Sequence, residues 1–205
     1  MSLTAVNLRC IRQDRVIFTD LGFSLKAGEI LWVQGKNGAG KSSLLRMIAG
    51  LLKPASGEIQ WQGTSVTEDP DGYQNQFQYI GHQEALKPVL SARENLQFWA
   101  DYSGNRDVSA ALTQFELEKI ADSPVGIMSA GQKKRTNLAR LISSPAPLWI
   151  LDEPVSSLDT HYINLFKQQL EKHVAVGGMA LLATHQDLNL AGSRKLDLDT
   201  VKASS

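Results

Sequence analysis

An α/β domain built on a mostly parallel sheet is what these 205 residues predict. Short apolar runs alternate with longer helical patterns through the last third of the chain. A glycine-rich loop stands between a buried-strand pattern and an amphipathic helix, and an apolar run further on ends in two acids. Strands alternating with helices imply parallel pairing, with ligands held at the carboxyl ends of the strands.

The elements follow from the amino end. Val16–Phe18 and Phe23–Leu25 read as short strands, Ala27-Gly28 as a turn and Ile30–Gln34 as a buried strand. The loop from Gly35 to Gly40 leads into a helix over Lys41–Ala49, with Leu44, Leu45 and Ile48 on one face and Gly50 closing it. Gly57–Gln62 reads as another strand, and Gln74–Gln83 is rich in Gln and aromatic residues. Ser91–Tyr102 carries a capping box, Ser91 with Glu94, and an apolar face expected from Leu96 to Trp99. A second helical stretch is expected over Val108–Ile120, so that roughly 84–128 reads as a helical insert. A helix from near Ser129 to Leu141, broken by Pro145 and Pro147, extends that helical region to about 142. Leu148–Leu151 and Met179–Thr184 read as buried strands and Asp159–Val176 as a long helix. From about Thr200 the chain reads as a loose tail.

Composition removes several functions. Lys+Arg and Asp+Glu are both 21, and a formally neutral chain lacks the cations that broad nucleic-acid binding needs. With Cys10 as its single cysteine the chain makes no internal disulfide and no cysteine-based metal site; Cys10 is expected to be a small buried hydrophobe. No segment approaches the roughly 20 apolar residues that cross a bilayer, so a role in transport requires another chain to supply the membrane path.

Gly35-Lys36-Asn37-Gly38-Ala39-Gly40-Lys41-Ser42 fits the phosphate-binding loop pattern, with Ser43 following in the first helical turn. Glycines let the backbone wrap closely round phosphates with N–H groups inward, and the following helix presents its positive end. Lys41 is expected to reach the outer phosphates of ATP, and Ser42 to bind Mg²⁺. Leu148–Leu151 delivers Asp152 to a strand end, where it holds Mg²⁺ through water, and Glu153 follows as a general base for the attacking water. Neither pattern specifies a family.

Met128-Ser129-Ala130-Gly131-Gln132 narrows the field. It resembles the signature peptide of ABC ATPases, commonly Leu-Ser-Gly-Gly-Gln, and stands at the start of a helix shortly before the Asp-Glu pair. The helix start and the Ser129 hydroxyl make a second anion site. Two such sites far apart in sequence suggest two chains meeting head to tail. The resemblance implies a P-loop core of ABC type: one ATP-binding domain over 1–205, a mixed sheet flanked by helices, an antiparallel β subdomain at the amino end and a small helical insert. It also implies that each ATP lies between one copy's phosphate loop and the other's Ser129, Ala130, Gly131 and Gln132. Met128 and Ala130 depart from the common pattern, and Ala130 is tolerable only if its backbone avoids positive φ. Gln83, in Tyr79-Ile80-Gly81-His82-Gln83, resembles the glutamine that touches Mg²⁺ and senses the membrane partner. Ser156-Ser157-Leu158-Asp159 resembles the D-loop, and His185 resembles the switch histidine at the γ-phosphate. His82, His161 and His173 match no family motif and read as surface or packing residues. The aromatic that usually stacks on adenine is missing; Arg12 stands in that region, and a guanidinium plane can replace a ring.

Trp61-Gln62-Gly63, Ile80–Gln83, Glu94–Phe98, Leu148–Pro154 and Thr184-His185-Gln186 look like the ATP-binding subunits of cytochrome c biogenesis. That resemblance implies a peripheral protein on the cytoplasmic face of the bacterial inner membrane, bound to integral membrane subunits, whose ATP hydrolysis is tied to haem export or release of a haem-loaded chaperone. No Cys-x-x-Cys-His motif is present, so haem is not expected to bind this chain. The alternatives are the ATPase of another small-molecule or lipid exporter and a soluble ATPase acting on ribosomes or DNA. A single cassette with no heptad run and no charge excess argues against the second, and Glu153 argues against a non-hydrolysing module.

Overall fold

The computed structural model describes residues 1–105 and 107–201, and two sheets organise them. β1 (Ser2–Arg12), β2 (Arg15–Lys26), β4 (Ser56–Trp61) and β5 (Thr64–Ser65) form an antiparallel sheet in the order β2-β1-β4-β5. β3 (Ile30–Gln34), β6 (Phe77–Ile80), β7 (Leu148–Asp152), β8 (Met179–Ala183) and β9 (Arg194–Asp197) form a wholly parallel sheet in the order β6-β7-β8-β3-β9.

The parallel strands are apolar almost throughout because both their faces are covered. Leu31 and Val33 of β3 point to one side, into a core shared with the antiparallel sheet and α1 (Lys41–Ile48). Ile30 and Trp32 point to the other side. There they meet Leu96 and Ala100 of α3 (Ala92–Tyr102), Ala111 and Leu112 of α4 (Ser109–Gln114), Leu138 of α5 (Ala130–Ser143) and Phe166 and Leu170 of α6 (Thr160–Ala175). A short α2 (Pro70–Gln74) places Tyr73 on the first core, where its hydroxyl donates to the Ile48 carbonyl.

Several expectations change. The two short strands at 16–25 are one strand, β2, carried through a left-handed Asp20 (φ 53°). β1, β6 and β9 were not anticipated as strands. Leu96–Trp99 is not a face: α3 buries Ala92, Asn95, Leu96 and Ala100, at helical spacing, and leaves Phe98 about half exposed. The stretch 108–120 is interrupted. α4 ends where Glu116 turns left-handed (φ 52°), the Leu117 N–H donates to the Leu112 carbonyl, and Leu117 is buried, which is a Schellman close without glycine. A 3-10 turn over Glu118–Ile120 follows. Thr200 closes another 3-10 turn, so the tail expected from that point is ordered through Val201, and the rest of it lies outside the described residues. Cys10 is buried in the core, and burial pushes its thiol pKa up. Among the described residues no helix is long and apolar enough to cross a membrane.

Candidate active site

β7, β8 and β3 are neighbours, so their carboxyl ends deliver Asp152, the segment through His185 and the glycine loop to one place. The loop needs its glycines. Gly35 sits at φ 141° and Gly40 at φ 101°, and a Cβ on Gly40 would lie 2.6 Å from Ile17 Cγ2. Gly40 is also the N-cap of α1 and gives no side-chain cap, which leaves the first-turn N–H groups free for an anion. Lys41 folds over the loop, its Nζ donating to the carbonyls of Gly35 (2.7 Å) and Lys36 (3.1 Å). That spends two of the three ammonium donors and leaves one for a ligand.

The Ser42 hydroxyl donates to Asp152 Oδ1 at 3.0 Å. Asp152 is 2 % exposed, and its Oδ2 has no hydrogen-bond partner among the described residues. A buried carboxylate oxygen left unpaired is costly. Beside a hydroxyl and a phosphate loop it is suited to a hydrated divalent cation. Glu153 comes next, at φ 50°, with its N–H donating to the Ala183 carbonyl of β8 at 2.8 Å. That tie holds a left-handed turn that a glutamate does not favour, and backbone strain of this kind clusters at functional sites. Glu153 Oε1 lies 3.6 Å from His185 Nε2. These groups surround a cleft of about 520 Å³, which Asn37, Gly38, Ser43, Ile17, His82 and Ser156 also line.

The remaining expected residues stand elsewhere. Lys36 does not line the cleft, and its N–H is held by the Asp199 carboxylate at 3.2 Å, a brace that sequence reasoning missed. Gly35 and Ala39 pack closely within the loop, where a Cβ on Gly35 would lie 3.0 Å from Ala39 Cβ. Gln83 is exposed and outside the cleft lining; its neighbour His82 is exposed, as expected of a surface residue, and also lines the cleft. Arg12 is exposed at the end of the β1–β2 hairpin, and Ile17 of β2 occupies the wall nearer the loop. Asp159 caps α6, accepting from the Tyr162 N–H at 3.1 Å, and Ser156, three residues before it, is the member of that segment lining the cleft. His161 meets Glu116, and His173 stacks flat on Trp149.

Ser129, Ala130, Gly131 and Gln132 form a second surface, apart from the cleft. Ser129 caps α5 in a capping box with Gln132, its Oγ accepting from the Gln132 N–H at 3.2 Å. The hydroxyl proton remains free to point outward. Ala130 is the first residue of α5 and is not among the left-handed residues, which explains why alanine is accepted there.

Comparison with known proteins agrees with this geometry. Residues 18–156 match the ABC transporter family. The chain is 50% identical to a cytochrome c biogenesis ATP-binding export protein CcmA of Paramagnetospirillum magneticum, over 97% of this chain and 94% of that one. It is 41% identical to the protein of the same name from Escherichia coli, over 98% and 99%. A dimeric ATP-binding cassette in a post-hydrolysis state, bound to ADP and Pi, superposes with a TM-score of 0.83 at 25% identity, covering 95% of this chain and 93% of that one. The protein is therefore an ATP-binding, ATP-hydrolysing member of the ABC transporter family, in the branch of the cytochrome c biogenesis ATP-binding proteins.

Proposed function

We propose that this protein is the ATPase subunit of a membrane complex for cytochrome c maturation, energising haem export or the release of a haem-loaded chaperone. It works from the cytoplasmic face of the bacterial inner membrane as a peripheral subunit on integral membrane partners. The observation that carries the reading is near full-length identity with proteins named for that process, joined to a cleft that keeps Lys41, Ser42, Asp152, Glu153 and His185 together.

In this reading the loop N–H groups and Lys41 hold the phosphates of ATP. Ser42 and the unpaired Asp152 Oδ2 would hold Mg²⁺, which would supply charge neutralisation at the outer phosphates. Glu153 takes the proton of the attacking water, and His185 orients the γ-phosphate end. Gln83, on an exposed loop beside the cleft residue His82, would be a further ligand for that cation. Ser129–Gln132 and Asp159, none of which lines this copy's cleft, serve the nucleotide of a second copy. Haem is the concern of the partners and not of this chain.

The test is made in cells. A strain whose only copy carries Glu153→Gln is expected to show no holo-cytochrome c by haem staining, while the wild-type copy restores it. Normal cytochromes in that strain would remove the assignment and leave the ATPase of a different exporter. A smaller effect concerns the adenine end. Arg12→Ala is expected to weaken ATP binding about two- to fivefold, the scale of an exposed cation–π contact of ~0.5–1 kcal/mol. Unchanged affinity in a fluorescent-nucleotide titration assigns adenine to the Ile17 wall alone.

A further inference from the structure

α5 and α6 each begin with residues that the reading above gives to the second copy's nucleotide, Ser129–Gln132 on α5 and Asp159 on α6. The chain between the two starts runs the length of α5 and through β7, so their relative placement is fixed by contacts in space. The starts touch. A Cβ on Gly131 would lie 3.1 Å from the Ser157 carbonyl oxygen, so the first turn of α5 packs on the backbone that leads into α6. A contact of that kind sets a distance but leaves the angle between the helices free.

One turn further along α5, Arg135 supplies the missing restraint. It is 7 % exposed, and its guanidinium lies 3.9 Å over the Tyr162 ring of α6. Its Nη1 donates to the carbonyls of Phe115 (3.0 Å) and Glu116 (2.9 Å), at the left-handed close of α4. Tyr162 is itself the residue whose N–H is held by the Asp159 carboxylate at 3.1 Å. The guanidinium therefore reaches the cap of α6 through one residue. Glu116 Oε1 also lies 2.9 Å from His161 Nε2, but both groups are exposed, and an exposed pair adds little. Arg140, on the same helix, stays within the helical insert, donating to Asn137 and lying over Trp99. Arg135 Nε has no hydrogen-bond partner among the described residues. For stability alone, a buried guanidinium left partly unpaired is a poor choice, and an apolar residue of similar length would pack as well. A planar cation that lies on a ring and donates to two carbonyls fixes an angle, which an aliphatic stem does not.

We propose that Arg135 and Tyr162 are positioning residues for ATP hydrolysis, locking the first turns of α5 and α6 into one unit. Ser129–Gln132 and Asp159 then meet the second copy's nucleotide as one surface with a fixed angle. Neither Arg135 nor Tyr162 lines the cleft, so neither takes part in holding ATP within its own copy. Their effect is felt when two copies close. The inference rests on the reading in which two copies share each nucleotide.

The test uses the Glu153→Gln background, where an ATP-bound dimer is expected to collect, and measures dimer formation over a protein concentration series by analytical ultracentrifugation with ATP and Mg²⁺. Tyr162→Leu, at a half-buried ring where folding is not at risk, is expected to raise the dimer dissociation constant about tenfold or more, the scale of a lost buried cation–π contact. Tyr162→Phe keeps the ring and is expected to leave that constant within about twofold. Arg135→Met keeps the stem, frees the two carbonyls as well, and is expected to weaken the dimer at least as much as Tyr162→Leu. The double variant is expected to be no weaker than Arg135→Met alone, because both changes break the same contact. Fluorescent-nucleotide titration of dilute, monomeric protein is expected to give an ATP affinity within about twofold of the parent in every variant. With Glu153 restored, kcat is expected to fall in step with dimerisation. Parental dimerisation in both Tyr162→Leu and Arg135→Met overturns the proposal and leaves the two-copy reading standing. Loss of the monomer's ATP affinity together with dimerisation overturns it as well, by showing a general packing role. Failure of Glu153→Gln itself to dimerise is the separate result that removes the two-copy reading, and the proposal with it.

Discussion

Glu153→Gln is expected to bind ATP normally and to hydrolyse it about 10²- to 10⁴-fold more slowly, the scale for losing a positioned general base. The amide matches the carboxylate in size, and the left-handed turn at 153 is held by main-chain contacts. The Glu153 N–H bonds Ala183, and the Ser156 hydroxyl donates to the Glu153 carbonyl at 3.1 Å. The substitution therefore leaves the backbone, the Ser42–Asp152 contact and the Lys41 bridge in place. What it removes is the carboxylate beside His185, the group proposed above as the base. Because binding is kept and cleavage is not, the variant should collect as an ATP-bound dimer. Size-exclusion chromatography with ATP and Mg²⁺ reads this directly, and single-turnover kinetics reads the rate. A variant that stays monomeric with bound ATP would count against two copies sharing each nucleotide. A variant that turns over at the wild-type rate would move the base to another residue of the cleft, where His82, His185 and Asp152 also stand.

The parts of this site legible in the sequence are those where local chemistry and tertiary position coincide. Ile30–Gln34 reads as a buried strand and is one, because a strand covered on both faces must be apolar throughout. Gly50 closes α1 in a left-handed conformation that glycine signals openly. Glu116 does the same work at α4 without a glycine, and the interruption there was invisible. β1 escaped notice because its register shifts past Asn7, which breaks the alternation that marks a strand. β9 escaped because Arg194–Asp197 is a mostly exposed edge strand with no apolar run. In the site itself, Gln83 and Arg12 were inferred from order in the chain, and the structure turns His82 and Ile17 to the cleft. Outside the cleft, the burial of Lys134 also escaped notice. In Lys133-Lys134-Arg135 the chain shows a cluster of cations that suggests a solvated face, whereas the inward side of α5 buries Lys134 and Arg135. Nothing in the residue types distinguishes Lys133 from Lys134; only the helical phase set by Leu138 and Leu141 does.

Lys41→Ala is expected to abolish measurable turnover and to weaken ATP binding roughly 10- to 150-fold, the scale of the one charge-assisted hydrogen bond of ~1.5–3 kcal/mol that its remaining donor can give a phosphate. The ammonium bridges the carbonyls of Gly35 and Lys36 and so braces the ring of the loop. The substitution thus removes both the cation that meets the phosphates and the brace that shapes their seat. The remaining loop N–H groups and the uncapped start of α1 still attract an anion, so weak residual binding of ADP is expected to persist. Stability should change little, because the freed carbonyls lie at a partly exposed position and can turn to water. Lys41→Met separates the two contributions, as it restores the stem without the charge; recovery of affinity in that variant would show that packing of the stem, and not the ammonium, seats the nucleotide. Isothermal titration with ATP and ADP on the two variants, beside thermal melts without ligand, makes the comparison. Wild-type turnover in Lys41→Ala would place the phosphates outside the loop, and the assignments of Ser42, Asp152 and Glu153 would fall with it.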